Sequence, residues 1–149
     1  MRLAGILTVL LLAARPAAAG VCSVTSVAPV TFGTYDVFAT APLTFAGSVT
    51  YACTDVAPSE VVVISIDGLP SGGGPRTLVG ATSSLAYQLY LDAARTVVWG
   101  DGTGGSATYG PLVPVAGSPT VVPIYGRLPS RQDVPAGAYA ASLVVTLNL

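Results

Sequence analysis

The chain contains no histidine and no lysine, and only 9% of its 149 residues are charged. Without histidine, Ser-His and Cys-His nucleophilic arrangements lose their base, and a metal site loses its commonest ligand. Every positive charge is an arginine, and beyond residue 19 four of them (Arg76, Arg95, Arg127, Arg131) stand against seven acids. That balance offers no basic surface for nucleic acid. Cysteine is equally sparse, with Cys22 and Cys53 the two present. Two thiols without histidine are too few for a structural zinc site, and no cofactor is expected.

What is present begins with an apolar run. Arg2 supplies a positive n-region, Leu3 to Ala14 an apolar h-region, and Ala17-Ala18-Ala19 a small-residue cleavage site, the pattern of a secretory signal. Arg15 and Pro16 interrupt the run before the roughly 20 apolar residues that a membrane span needs. A lipoprotein signal, the other alternative, wants a small residue where Val21 precedes Cys22. The expectation is a signal peptide over residues 1–19 and one exported domain over residues 20–149. Export to an oxidising compartment makes an even pair of cysteines a disulfide, Cys22–Cys53. Closing a loop of about thirty residues stabilises by roughly 3–4 kcal/mol in the chain-entropy model.

Beyond the signal no helical period persists. Short runs rich in Val, Ile, Thr and Tyr recur instead between Gly, Pro, Asp and Ser clusters, as all-β sandwiches show. Seven such runs are predicted strands: Val21 to Gly33, Leu43 to Thr54, Glu60 to Gly68, Ser84 to Asp92, Arg95 to Gly100, Thr120 to Leu128 and Ala138 to Leu149. Seven strands suit an immunoglobulin-like sandwich. In the last run Tyr139, Ala141, Leu143, Val145, Leu147 and Leu149 share one face, opposite Ser142, Thr146, Asn148 and the exception Val144. In the second, Val49, Tyr51 and Cys53 share a face, which turns the cysteine inward toward the first strand.

Few residues suggest chemistry. Gly72 to Gly74 resembles a phosphate cradle only superficially, because no Gly-Lys-Ser/Thr follows, and a flexible loop is the alternative. Asp92 and Asp101 flank one hairpin-like segment, with Asp101-Gly102 as its expected tight turn, and are the nearest candidates for paired acid-base work. Both sit beside turn residues, where Asp commonly bonds local backbone. Trp99 is either a ligand anchor or core. The stretch "GPLVPVAGSP", Gly110 to Pro119, sets Leu112, Val113 and Val115 on a proline-stiffened frame. It is a candidate surface-contact loop, or else a loop folded over the core.

A more specific pattern spans Tyr87 to Thr103, "YQLYLDAARTVVWGDGT", followed by two glycines. With the early Cys22, "FGTYD" at Phe32 to Asp36, "SVTYACT" at Ser48 to Thr54 and the closing stretch from Tyr125 to Leu149, it resembles the spore coat protein U domain. The resemblance runs in order along nearly all of residues 20–149. It implies a non-catalytic secreted subunit of archaic chaperone-usher pili, with an incomplete immunoglobulin-like β-sandwich that lacks its last strand. The implied partners are a periplasmic pilus chaperone, an outer-membrane usher and other pilus subunits, joined by donor-strand complementation. The implied location is the periplasm in transit and then the cell surface or the extracellular space.

On that resemblance the groove between the first and last strands is expected to be lined, or underlain, by Leu143, Val145 and Leu147. Subunits that polymerise carry an alternating apolar segment ahead of the first cysteine, whereas "GV" is what a cut after Ala19 leaves here. The expectation is therefore an acceptor without its own donor strand, at the end of a fibre, with an adhesive role as a candidate. The competing expectation is a free-standing structural protein of an extracellular coat or matrix. Dependence on a donor strand separates the two.

Overall fold

The computed structural model describes residues 20–149, so the expected signal over residues 1–19 lies outside the described residues. Eight strands form: β1 (Val21–Ala28), β2 (Leu43–Thr54), β3 (Val62–Ile66), β4 (Arg76–Val79), β5 (Ser84–Tyr90), β6 (Tyr109–Leu112), β7 (Thr120–Leu128) and β8 (Val145–Asn148). They make a five-stranded sheet in the order β1-β2-β7-β5-β4 and a three-stranded sheet in the order β6-β3-β8. Every strand pair is antiparallel.

Period-two alternation places the core between the sheets. Val49, Tyr51 and Cys53 of β2, Leu85, Tyr87 and Leu89 of β5, and Val122, Ile124 and Leu128 of β7 face Val62, Ile64 and Ile66 of β3. Trp99 lies wholly buried among them, and its indole N–H donates to the Ile64 carbonyl at 3.0 Å. Of its two sequence readings, core is the one observed. Cys22 stands directly opposite Cys53 in the β1–β2 register, with Cα atoms 4.1 Å apart, and the two are joined as a disulfide.

The strand boundaries differ from expectation in several places, among them the first run, which is strand only over Val21–Ala28. Arg95 to Gly100 is not a strand; it contributes the bridges Tyr90–Val98 and Trp99–Ala107. The cause is local: the Asp92 carboxylate accepts the Thr96 and Val97 amides, and Arg95 takes φ 58°, which breaks extension. Because the Trp99–Ala107 bridge is parallel, Asp101-Gly102 is not a turn of an antiparallel hairpin. Asp101 instead accepts the Thr103 amide at 2.9 Å, an Asx turn. Two four-residue strands, β4 and β6, arise outside the seven predicted runs. Finally, the last run is ladder only over Val145–Asn148, and upstream of it Ala140 alone bridges, to Val79.

Candidate functional site

Two stretches that leave the sheets build the site. After β1 the chain crosses the larger sheet, and two glycines permit the crossing. A Cβ on Gly126 would sit 2.6 Å from Val30 Cγ1, and one on Gly47 would sit 3.1 Å from Val30 Cγ2. Phe32 then packs edge-on against Phe45 and Tyr87, with ring centroids 6.1 and 5.8 Å away. The Tyr35 hydroxyl donates to the Pro129 carbonyl at 3.0 Å and accepts the Gln132 amide at 2.7 Å, which anchors this stretch to the end of β7.

The second stretch approaches β8. Where β7 ends, the Gln132 side chain takes over its pairing role, accepting the Ala86 amide at 2.6 Å and donating to the Ala86 carbonyl at 2.9 Å. The Tyr139 hydroxyl donates to the Pro135 carbonyl at 2.7 Å and lies 2.6 Å from the Ser83 hydroxyl. Ala140 exchanges both amide bonds with Val79, at 2.8 and 3.1 Å. Each anchor fixes a wall without closing the gap between the walls.

That gap is a groove of about 730 Å³, walled by residues 30–37 on one side and 134–141 on the other. Its floor is apolar, with Leu78, Leu85 and Leu128 reaching it from β4, β5 and β7. Neither wall belongs to a strand, and apart from Ala140 the wall backbones lack ladder partners among the described residues. Further along, β1 and β8 lie against each other as edges of different sheets without pairing. An apolar floor is thus left open between two stretches that are almost wholly outside the ladders.

The residues expected to line or underlie the groove follow its wall in sequence. Leu143, Val145 and Leu147 are half-buried against the core, and Val145 and Leu147 lie opposite Ile66 and Ile64 of β3. The wall itself comes from Val134 to Ala141 of the same terminal stretch. The contact-loop candidates are exposed: Leu112 at 48%, Val113 at 60% and Val115 at 64%. Pro114 between them is buried, and the Gly117 amide donates to the Cys53 carbonyl at 2.9 Å, so the loop is tied beside the disulfide with its apolar side chains outward.

Asp92 and Asp101 are occupied by their own turns. The bond from the Val97 amide, helped by those from Thr96, holds the Asp92 carboxyl below the usual carboxylate range. The Thr103 hydroxyl and amide do the same for Asp101. No group of three or more metal-ligating side chains gathers among the described residues.

Sequence reasoning missed Arg76. Its side chain is 1% exposed, and its guanidinium donates to the Ile66, Asp67 and Trp99 carbonyls and to Gln88 Oε1, at 2.6 to 3.1 Å. Burial pulls its pKa down, partly offset by Tyr87, Asp67 and Asp101 nearby. An arginine between proline and threonine at the end of a glycine-rich stretch carries no period that marks it as buried.

The fold and groove define a class, an immunoglobulin-like sandwich that is one strand short. A chain from the crystal structure of a chaperone–tip adhesion subunit pre-assembly complex, from archaic chaperone-usher Csu pili of Acinetobacter baumannii, shares this fold. The TM-score is 0.57 at 18% identity over 87% of this chain, which spans 40% of that chain's length. The Spore Coat Protein U domain model matches residues 8–146, and the chain belongs to that family. Protein U of Myxococcus xanthus is 29% identical over 144 residues, covering 87% of this chain and 78% of the relative.

Proposed function

We propose that the protein is a non-catalytic subunit of a secreted chaperone-usher pilus, and that the groove between residues 30–37 and 134–141 accepts an extended strand from another chain. The observation that carries this reading is the apolar floor of Leu78, Leu85 and Leu128, left open between two backbone stretches that, Ala140 apart, have no ladder partners among the described residues. Left unfilled, such edges invite aggregation, and an inserted strand supplies both main-chain bonds and side chains for the floor. A periplasmic chaperone fills the groove first and a neighbouring subunit replaces it at the usher. Leu143, Val145 and Leu147 support the groove from the core side. The terminal position in the fibre rests on the signal reading of residues 1–19, and Leu112, Val113 and Val115 form the candidate adhesive contact.

The test is thermal. A peptide of about a dozen residues with alternating large apolar side chains should raise the melting temperature of the exported chain, since a ligand at 100 times its Kd stabilises by about 2.7 kcal/mol. Gly137 lines the groove and a Cβ there would meet nothing within 4 Å, so Gly137→Trp adds bulk at the groove wall without entering the core. That variant should fold and lose the peptide effect. The family's spore coat description favours the second reading, a free-standing coat or matrix protein. It prevails if the chain alone is a stable monomer indifferent to every such peptide, while the fibre-end assignment falls if the chain alone builds long homopolymers.

A further inference from the structure

On the outer face of the larger sheet, away from the groove, β5 and β7 hold a second depression of about 280 Å³. Alternation turns Gln88 and Tyr90 to the face opposite the buried Tyr87 and Leu89. Register then sets Gln88 directly across from Arg127, and Tyr90 across from Tyr125. Pro75, Val98 and Pro129 form the rim. We propose that this depression binds a carboxylate-bearing saccharide ring.

Charge is the first argument. Arg127 is exposed, and its guanidinium has no hydrogen-bond partner among the described residues, so both of its donor edges are free for a ligand. Behind the floor lies a second guanidinium, Arg76, whose bonded acceptors are all neutral: three carbonyls and Gln88 Oε1 at 2.6 Å. Gln88 is held from its other end as well, donating to the Gly74 carbonyl at 3.0 Å. Arg76 has Asp67 and Asp101 near it, whereas Arg127 is bonded to no carboxylate among the described residues. The free charge of Arg127 therefore favours an anion at the depression, and its planar fork suits a carboxylate in particular.

Shape supplies the second argument. At the depression β5 pairs with β7 through Gln88, Leu89 and Tyr90, and its other side is met by the Tyr90–Val98 bridge and by the Trp99 amide, which donates to the Leu89 carbonyl at 2.9 Å, so no free strand edge is offered here for a peptide backbone to join. The ligand must lie on the face. The volume is just under the roughly 300–1,000 Å³ of small-molecule sites, which fits one ring rather than an extended chain. Tyr90, the prolines and Val98 offer flat apolar surface to the C–H face of a sugar, while the phenol and guanidinium meet its oxygens.

The experiment titrates the full exported chain with a glucuronate oligosaccharide, a neutral glucose oligosaccharide and an oligoglutamate of equal charge, followed by amide chemical shifts. The expected result is binding of the glucuronate oligomer with shifts centred on Gln88, Tyr90 and Arg127, and about tenfold weaker binding of the neutral one. Arg127→Ala should abolish the binding and Arg127→Lys should keep part of it. Arg127 is exposed on the sheet face, so neither change disturbs the core, and an unchanged melting temperature verifies that. Equal binding of oligoglutamate would overturn the saccharide assignment, and undiminished binding by Arg127→Ala, or no shifts at these residues, would overturn the site.

Discussion

Asp67 and Val144 are tied by two hydrogen bonds: the Asp67 amide donates to the Val144 carbonyl at 3.2 Å, and the Val144 amide donates to Asp67 Oδ1 at 2.7 Å. The pair lies one step before the Ile66–Val145 ladder position, so it sets where the terminal stretch leaves the groove and becomes β8. Arg76 holds the same residue from inside, donating from Nε to the Asp67 carbonyl at 2.9 Å. Asp67→Ala should therefore loosen the groove wall more than it unfolds the domain. The expected cost is about 1 kcal/mol, reduced because the carboxylate is exposed, with faster amide exchange over residues 140–148. Unchanged exchange there would refute the role.

The disulfide joins residues directly opposed on β1 and β2 and so fixes the register of the strand that leads into the groove wall. Replacing either Cys22 or Cys53 should lower stability by roughly 2–5 kcal/mol, measured by denaturant unfolding of the peptide-filled domain. Mass analysis without reductant should find both thiols blocked within one chain.

The strands with clean alternation were legible in the sequence, as β2, β5 and β7 show, because burying one face of a sheet imposes period two. The cysteine pair followed from its even count in an exported chain. Arg95 to Gly100 misled, since its β-branched residues suggest a strand while Asp92, outside it, bends the backbone through side-chain bonds that periodicity does not register. The groove was expected from the resemblance alone, with Leu143, Val145 and Leu147 as its edge or the core beneath it. Small residues such as Ala136, Gly137 and Ala138 wall the groove and carry no hydrophobic signal that would mark them.

Asp92 and Asp101 make stability fall in acid. Both carboxyls are held below their ordinary pKa by bonds from their own turns, so their contribution is fully present above the unfolded value of about 3.9 and is lost as pH falls through the lower folded value. The melting-temperature difference between the natural protein and Asp92→Asn should be constant from roughly pH 5 to 7 and shrink below about pH 4. A difference that grows in acid would have the wrong sign.

Arg76 bolts the two sheets together: it belongs to β4 and reaches the end of β3 and the Trp99 carbonyl. Arg76→Ala would strand several buried acceptors, at about 1–3 kcal/mol for each left without a partner. Arg76→Lys has one ammonium for four acceptors and should recover only part of the loss. Urea unfolding ranks the three proteins, and a lysine variant as stable as the natural one would show that the fork geometry is unimportant.

Val144 and Val145 are adjacent, yet alternation gives them opposite surroundings. Val145 is half-buried against the core and pairs with Ile66, whereas Val144 is 62% exposed. An aspartate at 145 would bring an uncompensated charge to the apolar side of β8, where ionised groups are far costlier than an unpaired hydroxyl or amide. An aspartate at 144 would stand in water, on the face that already carries Ser142 and Thr146. The expected outcome is that Val145→Asp fails to accumulate or to bind the donor peptide, while Val144→Asp accumulates and binds it as the natural protein does. Soluble yield in the periplasm and the peptide-induced rise in melting temperature measure both. If the two variants behave alike, the face assigned to Leu143, Val145 and Leu147 is wrong, and the support these residues give to the groove floor falls with it.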